Sequence, residues 1–537
     1  MAAGIRSAWR RRLRSVDDKM LKPILSVLFA VTLWVCGSMA AVASTGELRM
    51  GMLSLALSAD PHAYINTGAR ELSAHLYQPL YEKHPENNKS FHVVKSGHYS
   101  GNNTWELHLF PGEIHANDIV FTFCRIKNYP DTPSPFAPNL ESITDVRVGG
   151  ETELTIVTKS EDSQLLARIS AILVMKAPPH WTGSYTGGRC DGAFAYDRAD
   201  LDSGRVTPGT GPYRIERFSA DEIVMVRRGG KLARLTPWQR VVQLRLSTEE
   251  SVRQLLAGTV DIIDSVPDGP AAHLAAVSDT KTAYGYPASF VFLQLNHRAT
   301  SSFVANGAPN PLRDKRVRQA LSLALDREII ATRQRFDPSI PTAQISLPEN
   351  PLYNDGIDLR ADVDRARRLL AEAGYASGFT VDFLIMPGTA WIADKVEPML
   401  GRIGVQVKTR DVGPRFPGLV ANGEFGLNLN VSVVDQTDIM AFVRSRLASP
   451  GIAAGFGSRN QGQYTNSQLN ELLLKIRSEP DTVQRSQMEQ QAMSIVTDDL
   501  PIIPLVFVRP RWHLRADLAF TPRRDNRMLV WNIVKAQ

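Results

Sequence analysis

Apolar and polar residues alternate in several short stretches of the chain, which is the pattern of a strand with one buried face. In one of these stretches, residues 104–110, Trp105, Leu107 and Leu109 fall on the same side. The strands predicted in this way cover residues 47–55, 104–110, 213–218, 222–228, 379–385 and 405–409. Further strands are expected after Pro501.

Other stretches repeat apolar residues every three to four positions, as the buried stripe of a helix does. The clearest covers residues 313–330, where Asp314 is placed to cap the start and Asp326 to open the next turn. The predicted helices cover residues 67–77, 313–330, 362–373, 392–403 and 467–497, with one more that Asn117 would cap. Between residues 362 and 409 helices and strands alternate, which predicts a mixed α/β lobe.

The motif Gly209-Thr210-Gly211-Pro212-Tyr213 superficially resembles a phosphate-binding loop. Such a loop leads directly into the N-terminus of a helix, whereas strand patterns follow this one. We therefore interpret it as a turn, whose glycines permit positive φ where the chain passes between lobes.

The first 43 residues have the order of a secretory signal. Seven Lys and Arg residues come first, an apolar run from Ile24 to Val35 follows, and Ala41-Val42-Ala43 ends the segment, so cleavage is expected after Ala43. The alternative is an uncleaved membrane anchor, because about 20 residues are enough to cross a bilayer. Met20 offers a second start that would shorten the leader.

Length and charge narrow the class of protein. A chain of 537 residues exceeds what one hydrophobic core usually supports, so two or more lobes are expected. The leader holds seven of the 61 basic residues and two of the 55 acidic ones, which leaves the rest of the chain with a net charge of +1. This balance gives no reason to expect a nucleic-acid partner.

Residues that could support catalysis or bind a metal do not form a recognisable pattern. The sequence has no Gly-x-Ser-x-Gly, His-Glu-x-x-His or Walker motif. Seven histidines lie between His62 and His115, but no two are three or four residues apart, as two ligands on one helix face would be. We expect solvated or core histidines, and neither a metal nor a cofactor. For Cys124 and Cys190, the alternatives are a disulfide and two separate buried thiols.

Several motifs in order resemble the bacterial extracellular solute-binding proteins of family 5, the peptide, nickel and opine group. Asp60-Pro61 and Gly209-Thr210-Gly211-Pro212-Tyr213 are similar to its opening and central turn. The longest match is Pro311-Leu312-Arg313-Asp314-Lys315-Arg316-Val317-Arg318-Gln319-Ala320-Leu321, continued by Ala324-Leu325-Asp326-Arg327.

The resemblance implies an α/β fold, a two-lobed periplasmic-binding-protein clamshell with mixed sheets and an extra subdomain, closing on a ligand between the lobes. The signal peptide would occupy residues 1–43. Lobe one would consist of three separate segments of the chain, with the extra subdomain between the first and second segments and lobe two between the second and third. The expected limits are 44–88, 205–300 and 497–537 for lobe one, 89–204 for the extra subdomain and 301–496 for lobe two.

The implied function is that of a periplasmic substrate-binding protein of an ABC importer. Such a protein is not an enzyme; it captures a peptide or peptide-like solute as a monomer and delivers it to membrane permease subunits. The alternatives are a non-peptide solute (an opine, a nickel chelate or haem) on the same fold, and a secreted hydrolase.

Three candidate ligand-binding residues come from the same resemblance. Peptide binders of the family pair an aspartate with the ligand's α-ammonium, and Asp435 matches that position, with Asp438 as the second acid of the motif. Dipeptide binders hold the ligand carboxylate with an arginine after a Met-Pro pair, but no arginine follows Met386-Pro387 here. Trp391 could offer a flat apolar wall instead. The alternatives are an exposed loop acid for Asp435 and a core residue for Trp391.

Overall fold

The computed structural model describes residues 46–536, and the predicted leader with its cleavage site lies outside the described residues. Gaps within this range fall at residues 64–66, 82–91, 131–133, 163–164, 171, 265, 267, 306–308, 333–338, 387–388, 437 and 454. No helix in the described range is both long and apolar enough to cross a bilayer.

The described chain alternates strands and helices along most of its length. Its strands are β1 (Glu47–Met52), β2 (Gln78–Pro79), β3 (Val94–Gly101), β4 (Thr104–Leu109), β5 (Ile143–Gly150), β6 (Glu153–Thr158), β7 (Leu173–Val174), β8 (Tyr185–Thr186), β9 (Arg189–Cys190), β10 (Tyr213–Phe218), β11 (Glu222–Arg227), β12 (Arg240–Arg245), β13 (Ile262–Asp264), β14 (Thr280–Tyr284), β15 (Ser289–Leu295), β16 (Ile340–Pro341), β17 (Phe379–Ile385), β18 (Val405–Asp411), β19 (Leu427–Val433), β20 (Ile502–Val508), β21 (Arg511–Arg515), β22 (Leu518–Phe520) and β23 (Ile533–Lys535). Its α-helices are α1 (Thr67–Leu76), α2 (Ala116–Lys127), α3 (Leu165–Ile169), α4 (Arg198–Asp202), α5 (Thr248–Leu256), α6 (Asp268–Ala275), α7 (Lys315–Leu323), α8 (Arg327–Ala331), α9 (Val363–Glu372), α10 (Ala390–Gly401), α11 (Phe416–Asn422), α12 (Ile439–Arg446), α13 (Ser467–Ser478) and α14 (Thr482–Asp499).

Three larger sheets organise these elements. The sheet of lobe one has the order β10-β11-β12-β1-β13-β21-β14, that of lobe two the order β16-β20-β15-β19-β17-β18, and that of the extra subdomain the order β3-β4-β6-β5-β8-β9. The sheets of both lobes are mixed, because β1 runs parallel to β13, and β17 runs parallel to β18 and β19. This architecture is the two-lobed α/β fold with an extra subdomain that the resemblance predicts.

Strand β15 lies at the centre of lobe two. Phe290 and Phe292 pack into a core with α12, α13 and α14, whereas Val291 and Leu293 pack into a second core with α7, α9 and α10. Since side chains alternate between the two faces of a strand, both faces of β15 are covered. An almost unbroken apolar run is the sequence signature of such a strand.

Two predicted helices are each divided in the structure. The helix expected over residues 313–330 ends at Leu323, and α8 begins at Arg327 because the Asp326 carboxylate caps it by accepting a hydrogen bond from Ile329 N at 3.0 Å. The helix expected over residues 467–497 is interrupted at Pro480, after which Asp481 caps α14. The cap predicted at Asn117 was also wrong, since α2 begins at Ala116 and the Asp118 carboxylate accepts from His115 N at 2.8 Å.

The glycines of the Gly-Thr-Gly turn have a different role from the one predicted. Neither Gly209 nor Gly211 has a positive φ. Both lie against the end of α1: a Cβ on Gly209 would fall 2.1 Å from Leu76 O, and one on Gly211 would fall 2.5 Å from Leu76 C. Close backbone approach therefore requires glycine at these positions.

The extra subdomain is joined to lobe one by a buried ion pair. The Arg125 guanidinium of α2 donates to both carboxylate oxygens of Asp60, at 2.9 and 2.7 Å, and neither side chain is exposed. His62 and Tyr129 complete the surroundings by bonding Arg125 and Asp60, respectively. Within the subdomain, Cys124 of α2 and Cys190 of β9 form a disulfide, with Cα atoms 5.2 Å apart.

The two lobes are connected by two neighbouring crossovers. The chain passes from lobe one to lobe two between β14 and β15, and returns between β20 and β21. Gly285 N of the first crossover donates to Pro510 O of the second at 2.7 Å. Strands β15 and β20 therefore belong to the sheet of lobe two, although the predicted limits at residues 300 and 497 assigned them to lobe one. The remaining limits, at residues 43, 88 and 204, stay predictions.

Candidate functional site

Strand β19 of lobe two leaves part of one backbone edge open. It pairs with β15 along its whole length, whereas its pairing with β17 ends at Asn428. Val434 N donates to Ala288 O, so the backbone N–H of Val434 points towards β15. Because backbone groups alternate in direction along a strand, those of Val431 and Val433 point away from β15. In the described part of the chain, no strand pairs with this edge beyond Asn428.

The side chains of Val431 and Val433 are 38% and 47% exposed. Earlier odd-numbered residues of the same strand, Leu427 and Leu429, are fully buried in the core of lobe two. The strand thus emerges from the core and presents both apolar side chains and unpaired backbone groups at its end.

Asp435 and Asp438 lie directly after this open edge. Asp435 is exposed, and its carbonyl accepts a hydrogen bond from Asp438 N at 3.0 Å. The Asp438 carboxylate caps α12 by accepting from Ala441 N at 3.0 Å, and lies 3.6 Å from Arg444. Asp438 therefore has a structural role that accounts for its presence, while ligand binding by either aspartate stays a prediction.

Trp391 lies on a different element, helix α10, and packs partly buried against the core of lobe two. The Lys395 ammonium lies 5.4 Å from the centre of its ring. These surroundings fit a core residue with a cation–π contact. Its predicted role as a wall for the ligand stays a prediction.

Four arginines were missed by the sequence analysis, and the charge of one of them, Arg70, interacts with Asp435. In lobe two, Arg446 donates to Ser432 Oγ at 2.7 Å, and Arg459 N bonds Ser445 O at 2.8 Å. The other two are Arg70 on α1 and Arg527 in the C-terminal segment of lobe one.

The C-terminal segment lies along α1. Met528 N donates to Glu71 Oε1 at 3.2 Å, and Val530 N donates to His75 Nε2 at 3.1 Å. Arg527 directly precedes Met528, and Arg70 directly precedes Glu71. The charge of Arg527 acts on Arg70. Because Arg70 lies far from this segment in the sequence, only the fold brings the two arginines together.

The pKa of Arg70 is lowered by its surroundings. Its side chain is exposed, yet desolvation by the surrounding protein lowers its pKa, and Arg527 and Arg459 lower it further. Asp525 and Asp435 act in the opposite direction. Charges from both lobes therefore act on one solvent-accessible guanidinium.

Two buried titratable groups, Glu71 and His75, lie on the same helix as Arg70. Burial raises the pKa of Glu71 to about 8, so this carboxyl is mostly protonated at neutral pH. Burial lowers the pKa of His75 to about 4, and its Nδ1 bonds Glu71 O at 2.7 Å. Neither group therefore carries a full charge at neutral pH.

Comparison with known proteins connects this fold to one family. The family model for bacterial extracellular solute-binding proteins, family 5 (middle) matches residues 102–454. The chain belongs to this family. Membership confirms the predicted resemblance, and it makes this family 5 protein a binding protein rather than an enzyme.

Two curated relatives and one solved structure illustrate the range of the family. Heme-binding protein A of Haemophilus influenzae is 25% identical over 420 residues, covering 73% of the family 5 protein and 72% of the relative. Oligopeptide-binding protein AppA of Bacillus subtilis is 25% identical over 464 residues, covering 79% and 77%. The periplasmic binding protein DppA from Helicobacter pylori in complex with the peptide STSA superposes with a TM-score of 0.72 at 17% identity, covering 92% and 98%, which confirms the two-lobed fold.

Proposed function

We propose that the protein captures a peptide or peptide-like solute between its lobes and delivers it to the permease of an ABC importer. The observation that carries this proposal is the open edge of β19 beside Asp435. A peptide lying along Val431 and Val433 would extend the sheet by one strand, and its α-ammonium would reach the Asp435 carboxylate.

The relatives support a peptide more than another solute. AppA of Bacillus subtilis is named as an oligopeptide-binding protein, and the Helicobacter pylori structure contains a peptide. An extended backbone is also the ligand chemistry that an unpaired strand edge recognises. Haem, as in the Haemophilus influenzae relative, an opine and a nickel chelate remain the alternatives.

The proposal also includes the cellular location of the protein. After cleavage behind Ala43, the protein would act as a monomer in the periplasm and dock on membrane permease subunits. Mass spectrometry of the protein from a membrane-free periplasmic extract tests this directly, since a chain beginning at Ser44 is expected. A chain that keeps residues 24–43 and sediments with membranes would contradict it.

The test of binding uses the full chain without its leader. Native mass spectrometry after incubation with a pool of tripeptides is expected to detect bound peptide, and small-angle scattering is expected to detect compaction. Asp435→Asn should weaken binding roughly tenfold or more, because a charged partner of the ammonium is lost. The matched control is Asp355→Asn, which changes an exposed acid of lobe two.

Three results would contradict the proposal. Retained haem, opine or nickel chelate with no peptide binding would favour the non-peptide alternative. Hydrolysis of the pool would favour the enzyme. Absence of both binding and compaction would remove the basis for transport.

A further inference from the structure

We propose that Arg477 of lobe two and Asp162 of the extra subdomain form a latch that holds these two parts of the protein together while a solute is bound. The inference rests on the proposed function, because such a latch has an effect only if the lobes open and close. It gives the extra subdomain a share in retaining the solute, through a contact made between protein groups alone.

Arg477 and Asp162 come from two separately built parts of the chain. Arg477 lies in the last turn of α13, whose residues Leu469, Leu473 and Ile476 are buried in the core of lobe two. Asp162 lies between β6 and α3 of the extra subdomain. Arg477 Nη2 is 3.5 Å from Asp162 Oδ2, and the two side chains are 14% and 0% exposed. Little water reaches this ion pair, so its attraction is screened less than that of a surface pair.

The extra subdomain holds the Asp162 carboxylate in a fixed position. Arg168 Nη2 and Ser142 Oγ donate to Asp162 Oδ2 at 2.5 and 3.0 Å. Trp105 Nε1 donates to the backbone carbonyl of Asp162 at 2.9 Å. These donors come from α3, from the residue before β5 and from β4, all within the subdomain. The acceptor for Arg477 is therefore built without any contribution from lobe two.

The second oxygen of this carboxylate is short of a donor. Asp162 Oδ1 is buried and, within the described residues, has no hydrogen-bond partner. A buried acceptor without a donor is unfavourable, and one guanidinium can bind both oxygens of a carboxylate. The 3.5 Å separation from Arg477 exceeds the about 2.9 Å of a strong hydrogen bond. A further approach of Arg477 would strengthen its contact with Oδ2 and offer a donor to Oδ1.

An open cavity of about 600 Å³ lies where the two parts meet. Its lining includes Glu161, which precedes Asp162 in the chain, and Ser478, which follows Arg477. The rest of the lining comes from residues of α13, α14 and the turn between them. The extra subdomain and lobe two are thus not packed together along this cavity, and a small rotation of lobe two can narrow it.

A rotation of lobe two changes the distance between Arg477 and Asp162. The extra subdomain is tied to lobe one by the buried pair of Arg125 and Asp60, whereas lobe two is connected to lobe one by the two crossovers, which act as the hinge. Asp162 therefore moves with lobe one, and Arg477 moves with lobe two. A contact that is present only when the lobes are close stabilises that arrangement, and a solute enclosed by it leaves more slowly.

The charges around Arg477 are balanced by acids from both parts. Burial lowers the pKa of Arg477, Asp162 acts in the opposite direction, and Arg168 and Arg444 lower it further. Arg168 is itself paired with Asp162, and Arg444 lies 3.6 Å from Asp438. Asp162 is thus shared by one arginine of the extra subdomain and one of lobe two.

The experiment measures how fast tripeptides leave the protein. Native mass spectrometry resolves each bound member of the tripeptide pool by its mass, and dilution after loading gives its dissociation rate. Arg477→Gln is expected to raise the rate roughly tenfold for every bound tripeptide, because the loss of a charge-assisted contact favours the open form. A side chain that touched the solute would affect some tripeptides much more than others. Arg477→Glu should release them faster than Arg477→Gln, since two carboxylates would then face each other.

Arg368→Gln on α9 is the matched control, because Arg368 is exposed and makes no hydrogen bond or ion pair with any described residue. It should leave every dissociation rate unchanged. A further arm introduces Arg477→Gln into Asp162→Asn, where it should have little additional effect because its partner is already altered. The Tm of unliganded Arg477→Gln should stay close to that of the unchanged protein, since Arg168 and Ser142 still hold Asp162.

The outcomes separate the latch from the proposed function. Unchanged dissociation from Arg477→Gln, or a change confined to a few tripeptides, would overturn the inference and leave the peptide function standing. So would a full effect of Arg477→Gln in the Asp162→Asn background. If that double variant does not fold, an Arg477→Glu variant that is no faster than Arg477→Gln overturns the inference instead. An unchanged protein that binds no tripeptide would contradict the peptide function and, with it, the latch.

Discussion

Asn526 bonds both backbone groups of Tyr286: its Oδ1 accepts from Tyr286 N at 2.8 Å, and its Nδ2 donates to Tyr286 O at 2.7 Å. Tyr286 lies in the crossover from lobe one to lobe two, and Asn526 lies in the C-terminal segment that also carries Arg527. The loop that contains Asn526 therefore binds the crossover between the lobes and also carries the charged residue Arg527. A movement of the hinge would therefore also move Arg527, the residue that follows Asn526.

Gly285→Ala is predicted to disturb this hinge. A Cβ at this position would lie 2.5 Å from Asn526 Oδ1 and 2.7 Å from Pro510 Cγ, so the two crossovers would have to separate. The expected loss is about 1–3 kcal/mol of the free energy of unfolding, together with weaker binding. Urea titration measures the first and calorimetry the second. Gly269→Ala in α6, where a Cβ meets nothing within 4 Å, is the control and should be neutral or stabilising. An unchanged midpoint for Gly285→Ala would show that the hinge tolerates the added methyl group.

Asp60→Asn is predicted to destabilise the joint between lobe one and the extra subdomain. The substitution leaves the Arg125 guanidinium buried without its carboxylate, which costs about 3–5 kcal/mol. Urea unfolding followed by circular dichroism measures the effect. Asp200→Asn, which removes the half-buried partner of the exposed Arg205, should cost less than about 1 kcal/mol. Similar losses in the two variants would contradict a special role for the buried pair.

Reduction of the Cys124–Cys190 disulfide is predicted to lower the stability of the extra subdomain. The bond joins residues 66 positions apart, and its loss should cost about 2–4 kcal/mol through the freedom regained by the unfolded chain. Thermal unfolding with and without dithiothreitol is the measurement, and Cys190→Ser is its genetic equivalent. A protein indifferent to both treatments would mean that the subdomain is held by its core alone.

Stability is predicted to fall as the pH falls from about 6.5 to about 4. Burial lowers the pKa of His62, His75 and His297 to about 4, whereas in the unfolded chain these groups titrate near 6.5. The unfolded state therefore takes up protons first, and each histidine removes up to roughly 3 kcal/mol over this interval. The contribution of these three histidines is complete above about pH 6.5, whereas Glu71, whose pKa burial raises to about 8, makes the protein less stable as the pH rises from about 4.5 to about 8.

Urea midpoints at several pH values measure this dependence. His297→Gln should make the decline shallower, because one buried titrating group is removed and the glutamine amide can still donate to Pro501 O. The exposed His98 serves as the control, and His98→Gln should leave the slope unchanged. A flat profile between pH 7 and 4.5 would contradict neutral histidines in the core.

The elements of the fold were largely predictable because they depend on local pattern. The run around Ala320 and Leu321 predicts a helix with one buried stripe, and the structure has one there. The sequence did not predict that the helix ends before Arg327. Asp326 could lie at an exposed position within one long helix, or it could cap a second helix, and the pattern fits both. Only the extended backbone at Asp326 decides between them.

The candidate site was less accessible from the sequence. Asp435 could be proposed because it follows a motif, but the same motif suggested Asp438, which the structure uses as a helix cap. Arg70, Arg459 and Arg527 come from three distant stretches, and no spacing relates them.

Strand β21 lies between β13 and β14 in the sheet of lobe one, although it is made more than 200 residues after either of its flanking strands was begun. Until residues 511–515 are available, β14 has no neighbour, and the sheet is split. The sheet of lobe one therefore stays incomplete until the ribosome has made almost the whole chain, so this lobe cannot finish folding while synthesis continues.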